Sequence, residues 1–179
     1  MKLGLTKPCY AFYGLKRSLD CLTIHRQAAR KLAEKSCVLL KNEGVLPLRA
    51  EQRVALIGPF ADSGDILGWW SWTGSKETAV KLSDAMRAVT GNPDHITIAA
   101  GSGVDSITET QKEEALTAAA GADVIVLAVG ESSHMSGEGG SRTNIRLPDA
   151  QLELIRLMKG LGKPVAIVLF NGRPLDLHG

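Results

Sequence analysis

The strongest constraint on the fold is a series of short, continuously apolar runs separated by stretches with helical periodicity. Val124-Ile125-Val126-Leu127-Ala128-Val129 is apolar at every position, as a strand buried on both faces must be. Val54-Ala55-Leu56-Ile57-Gly58, Ile96-Thr97-Ile98-Ala99 and Pro164-Val165-Ala166-Ile167-Val168-Leu169-Phe170 repeat that reading. Between them, residues 77–89 place Ala79, Leu82, Met86 and Val89 on one helical face, and Thr110 with Glu113 reads as a capping box for a helix ending at Gly121. Pro148 suits the first position of a helix that carries Leu152, Ile155, Leu157 and Met158. Strands of this kind joined by helical crossovers imply an α/β three-layer sandwich: a mostly parallel sheet covered by helices on both faces.

Residues 1–22 mix Gly, Pro and isolated aromatics without periodicity and read as an irregular arm or interdomain linker. From Thr23, a suitable N-cap, Ile24, Ala28, Leu32 and Ser36 recur every four residues as the stripe of an amphipathic helix, so a single ordered domain is expected over 23–179. At 179 residues, 44% hydrophobic, it can build its own core without metal or disulfide staples, so no cofactor is expected. The 21 Lys and Arg against 19 Asp and Glu leave a net charge of only +2, which argues against nucleic acid as a partner. Cys9, Cys21 and Cys37 form no C-x-x-C pair and lie among only 4 histidines, so neither a metal site nor a redox motif is expected. Cys37, within Cys37-Val38-Leu39-Leu40, is expected to pack as a small hydrophobe. No apolar stretch approaches the roughly 18 residues needed to span a membrane. Residues 1–8 also lack the apolar region of a signal peptide, so no export signal is expected there.

In parallel sheets, ligands meet the loops beyond the carboxyl ends of the strands. That rule selects Gly58-Pro59-Phe60-Ala61-Asp62, residues 130–147, and Asn171-Gly172-Arg173-Pro174. The middle loop is long, polar and glycine-rich, which is typical of functional loops. Glycines on both sides of Glu138 would let that carboxylate project on a mobile backbone into another surface's cleft, the alternative being a solvated turn. Glu131, at the strand end, reads as a structural partner. Nucleotide binding is disfavoured, because the first loop lacks G-x-G-x-x-G spacing and no Gly-Lys-Ser/Thr tripeptide exists; no G-x-S-x-G elbow supports a serine hydrolase. Trp69, Trp70 and Trp72 fall within Gly68-Trp69-Trp70-Ser71-Trp72-Thr73-Gly74, where neighbouring side chains point in different directions. At least one should be exposed, either to stack on a sugar ring or to pack against a neighbouring domain.

Taken together, these residues resemble the second, α/β-sandwich domain of glycoside hydrolase family 3, the β-glucosidases and β-xylosidases. The resemblance runs from Ala28-Ala29-Arg30 through Ser36-Cys37-Val38-Leu39-Leu40-Lys41-Asn42-Glu43-Gly44-Val45-Leu46-Pro47-Leu48, Val54-Ala55-Leu56-Ile57-Gly58-Pro59 and Asp123-Val124-Ile125-Val126. It continues with Gly130-Glu131, Ser136-Gly137-Glu138-Gly139, Arg142, Leu147-Pro148, Gln151 and Asn171-Gly172-Arg173-Pro174. Lys2-Leu3-Gly4-Leu5 looks like the tail of the linker that leaves the family's barrel domain.

The resemblance implies a retaining two-carboxylate mechanism acting on a β-linked glucoside or related oligosaccharide. It places the acid/base at Glu138 and a sugar-stacking tryptophan at Trp70, with Trp69 or Trp72 as substitutes, and leaves Phe60 and Asp62 as structural. The nucleophilic aspartate belongs to an N-terminal (β/α)8 barrel that these residues do not include. The family's domain also continues beyond Asn171-Gly172-Arg173-Pro174, so an incomplete C-terminus and an inactive isolated chain are expected. Uncovered apolar surface would then favour self-association. Full-length relatives are periplasmic or secreted. The competing reading is a non-catalytic module that binds carbohydrate or protein.

Overall fold

The computed structural model describes residues 19–71 and 74–178, with side chains from residue 23 onward. The chain divides into two compact units, Met1–Asn42 and Glu43–Gly179. In the first, α1 spans Leu19–Ser36, so Thr23 lies inside the helix and does not cap it. Cys37 is exposed, contrary to the expectation of a packed thiol: its run leaves the helix end and joins no strand among the described residues.

The second unit holds β1 (Val54–Ile57), α2 (Leu82–Val89), β2 (Ile96–Ala99), α3 (Glu109–Ala120), β3 (Val124–Gly130), α4 (Asp149–Lys159) and β4 (Val165–Phe170). The four strands lie in the order β2-β1-β3-β4 and every pairing is parallel. Val54 sits opposite both Ile96 and Val124, and Ile125 opposite Val165. Strand periodicity then sorts the core into two layers. Ala55, Ile57, Ile125, Leu127 and Val129 face Ala115 and Ala119 of α3 and Leu152, Leu154 and Met158 of α4. Val54, Leu56, Val124, Val126 and Ala128 face Phe60, Ala61, Leu82 and Met86, with Val45, Leu46 and Leu48 packed beside them. The expected α/β sandwich is therefore what forms, because strands apolar on both faces need cover on both.

Element ends differ from the pattern in local detail. Lys76–Thr78 forms a separate 3-10 turn and Ala79 is extended, so α2 starts only at Leu82, and Val89 points into solvent. The capping box of α3 is Thr108 with Gln111: the Gln111 N–H donates to Thr108 Oγ1 at 3.2 Å, and the Thr108 N–H donates to Gln111 Oε1 at 2.9 Å. Thr108-x-x-Gln111 meets the same chemical rule as Thr110-x-x-Glu113 half a turn earlier. Pro148 caps α4 instead of opening it. The far end of α3 is closed by Lys163, whose ammonium donates to the carbonyls of Ala119, Ala120 and Ala122 at 2.8, 2.8 and 2.6 Å, a cation on the negative end of the helix dipole.

One buried polar side chain ties α4 to the carboxyl end of β3. Gln151 is fully buried; its Oε1 accepts from the Gly130 N–H at 2.8 Å, and its Nε2 donates to the carbonyls of Gly130 at 2.8 Å and Val104 at 2.9 Å. Gln151→Leu leaves these groups dry and unpaired, at roughly 1–3 kcal/mol for each buried group left unmade. A loss of about 2–4 kcal/mol in urea unfolding is expected, with the linear slope unchanged.

Candidate functional site

The three loops selected from the sequence meet at the carboxyl edge of the sheet. Phe60 of the first loop is buried, hydrogen-bonds through its N–H to the Ala128 carbonyl at 3.2 Å, and packs on Phe170 at 5.5 Å between ring centroids. Asp62 accepts from the Ser83 hydroxyl at 2.5 Å and pairs with Lys81 at 3.2 Å; the Ser83 bond is the largest cause holding its carboxyl below the usual range. Both residues are built into the scaffold.

β3 ends at Gly130, where φ is +148° and a Cβ would lie 1.8 Å from the Phe170 carbonyl oxygen, so only glycine allows the neighbouring strand this close. Glu131 follows, and its side chain is completely buried. Arg142 Nη1 donates to Oε1 at 2.7 Å, and Arg173 Nε stands 3.4 Å from Oε2. Two cations from different loops thus converge on one carboxylate at the root of the loop. Arg173 Nη2 also donates to the carbonyls of Met135 at 2.5 Å and Gly140 at 2.9 Å. Glu138 lies between those carbonyls at the exposed loop tip, flanked by Gly137 and Gly139 with φ of +116° and +77°.

The tryptophan segment sits directly on this loop. Trp69 packs against Gly137 so closely that a Cβ there would be 2.3 Å from the indole Cγ, and its ring stands edge-on to His134 at 6.4 Å. Even so, Trp69 is 48% exposed and Trp70, the next residue, is 70% exposed. Trp72 lies outside the described residues. Asp65, Leu67, Trp69, Ser71, Lys76 and Ser133 border a shallow cavity of about 140 Å³ between the segment and the loop.

Asp65 links the two segments, and no motif in the sequence singles it out. Lys76 Nζ lies 2.9 Å from its Oδ1, and the Ser133 N–H donates to its Oδ2 at 3.3 Å. Burial pushes the Asp65 carboxyl up, but the bonds from Lys76 and Ser133 outweigh it and hold the group below its usual value. A carboxyl depressed in the fold contributes stability above its unfolded pKa, about 3.9, and loses that contribution as pH falls through the lower folded value. Asp65→Asn should therefore lower the unfolding midpoint at pH 7 and converge with the unsubstituted chain in strong acid, as thermal unfolding across that range will read. The sequence signal for this residue is faint, since only tertiary folding brings Asp65, Lys76 and Ser133 together.

Comparison with known proteins agrees with this architecture. The chain matches the Glycosyl hydrolase family 3 C-terminal domain over residues 37–179. It is 36% identical to the periplasmic beta-glucosidase of Salmonella typhimurium, over 98% of this chain and 26% of that protein. It is also 37% identical to a beta-xylosidase of Formosa agariphila, over 99% of this chain and 26% of that one. The chain therefore spans about a quarter of the length of these curated relatives. The crystal structure of a beta-glucosidase from Listeria innocua in complex with glucose superposes with a TM-score of 0.83 at 40% identity, covering 92% of this chain and 22% of that one. With the sheet, the loop motifs and these matches in agreement, the chain belongs to glycoside hydrolase family 3, whose C-terminal domain it represents.

Proposed function

We propose that this domain supplies the acid/base carboxyl, Glu138, to a retaining β-glucosidase-like hydrolase whose nucleophile resides in a partner barrel domain. The observation that carries the reading is the position of Glu138: solvent-exposed, at the tip of a loop with a clamped root, next to the Gly137 on which the half-exposed Trp69 packs. A carboxyl presented this way can enter a facing cleft, where retaining chemistry needs the two carboxyl groups about 5 Å apart. In the first step Glu138 gives its proton to the glycosidic oxygen as the bond to the anomeric carbon breaks and the nucleophile forms an ester there. In the second, the resulting carboxylate takes a proton from water, which attacks the same carbon and releases the nucleophile. Trp69 and Trp70 offer flat apolar faces to the leaving-group sugar.

A β-linked glucoside is the favoured substrate class, supported by relatives named as beta-glucosidases and by the Listeria innocua enzyme, solved with glucose and, as a mutant, with laminaribiose. A periplasmic location follows the Salmonella typhimurium relative. With one carboxylate of the pair, the 179-residue chain alone should not turn over an aryl β-glucoside. Exchanged for the corresponding domain of the Listeria innocua enzyme, it should restore turnover that Glu138→Gln removes. Glucose-dependent quenching of tryptophan fluorescence in a chimera without turnover would instead favour a non-catalytic carbohydrate-binding module.

A further inference from the structure

We propose that Arg173 is a positioning residue that fixes where Glu138 presents its carboxyl group; the inference rests on the acid/base reading of Glu138. The Glu138 side chain stands at the exposed loop tip, so the location of its carboxyl is inherited from the backbone beneath it. That backbone is intrinsically loose, because Gly137 and Gly139 flank Glu138 at positive φ.

Arg173 supplies what the glycines lack. Its Nη2 joins the carbonyls of Met135 and Gly140, one on each side of Glu138, and so sets the width of the turn. Its Nε stands 3.4 Å from Oε2 of the buried Glu131 carboxylate, whose Oε1 accepts from Arg142, so charge attraction without a hydrogen bond draws the other end of the guanidinium inward. The preceding residue closes the same gap: a Cβ on Gly172 would lie 2.4 Å from Ser136 Oγ, which places the β4 loop directly under the turn. Asn171 Nδ2 donates to the Arg173 carbonyl at 2.6 Å and fixes the backbone that carries the guanidinium. A planar fork can engage Glu131 and both carbonyls at once, whereas the point charge of a lysine cannot. Displacement of a reacting group by about 1 Å can cost on the order of 100-fold in rate, so control of the turn width is control of catalysis.

The first test uses the 179-residue chain and needs no activity. Hydrogen exchange in Arg173→Lys and Arg173→Met should accelerate at least about tenfold more in the amides of residues 135–141 than in β3 and β4, whose exchange reports the global stability lost with the Glu131 pair. The second test uses the chimera with the Listeria innocua barrel. Both variants should lower kcat on an alkyl β-glucoside by roughly 10- to 100-fold, with KM little changed and no rescue by lysine. 2,4-Dinitrophenolate departs without protonation, so kcat/KM on its glucoside, which reports the glycosylation step, should be nearly untouched. Exchange over 135–141 accelerated no more than in β3 and β4, or equal losses of kcat/KM on both substrates, would overturn the inference. Glu138→Gln in the same chimera separates the two ideas: if it leaves alkyl glucoside turnover intact, the acid/base reading fails, while the exchange result still reports whether Arg173 holds the turn.

Discussion

In the active chimera, Glu138→Gln should cut turnover of an alkyl β-glucoside by about 10²- to 10⁴-fold, the range contributed by a positioned general acid or base. The loss in kcat/KM should shrink on a 2,4-dinitrophenyl glucoside, because a stable phenolate departs without a proton. Hydrolysis of the glycosyl-enzyme would then limit the rate, since water still needs a base. Azide requires no proton removal when it attacks, so it should accelerate a Glu138→Ala variant and yield a β-glucosyl azide of retained configuration. Product analysis by NMR checks that outcome. Equal losses on both leaving groups, with no azide product, would remove Glu138 from the acid/base role. Glu138 sits on an exposed turn, so the substitution should leave thermal unfolding of the chain unchanged.

The second large effect is structural and lies a few residues away. Glu131→Ala deletes a completely buried carboxylate and leaves Arg142 and Arg173 facing each other across its place. Removing one partner of a buried ion pair typically costs about 3–5 kcal/mol, because the remaining charge is uncompensated. The two arginine side chains remain 23% and 21% exposed, which lets water relieve part of the penalty and sets the expectation near the lower end. At roughly 2–4 °C per kcal/mol for a domain of this size, calorimetry should record a fall of about 6–12 °C. Glu131→Gln, which keeps the shape and one acceptor, should cost less. Exposed pairs such as Arg30 with Glu34 offer a contrast, since their loss should stay within about 1 kcal/mol. Because Arg173 also spans the turn around Glu138, Glu131→Ala should loosen that turn as well, coupling stability to the site.

The scaffold was largely legible because its signals are local. Val124 through Val129 can only be a strand buried on both faces, and the helical stripes on either side of it demand crossovers. Alternatives differing by half a turn were harder: Thr108 and Thr110 carry the same hydroxyl and each has a suitable partner three residues on, so only the packed position of α3 chooses between them. Cys37 shows the opposite failure. Its apolar neighbours predict burial, but burial requires a partner surface that no local pattern supplies.

The site divides along the same line. The glycines around Glu138, the tryptophan cluster and the loop positions at the strand ends are written in the order of residues, and strand periodicity is enough to direct them to one edge of the sheet. What the order of residues does not contain is distance. Arg173 reaches Met135 and Gly140 only because β4 lies beside β3, and Asp65 reaches Lys76 and Ser133 only because the segment after β1 folds over the loop after β3. Sequence alone determined the layers of the sandwich and the carboxylate at the loop tip, since hydrophobic periodicity and backbone freedom are properties of neighbouring residues. Tertiary structure alone decided how that carboxylate is held, since electrostatic and hydrogen-bonded contacts depend on separations of a few ångströms between residues far apart in the chain.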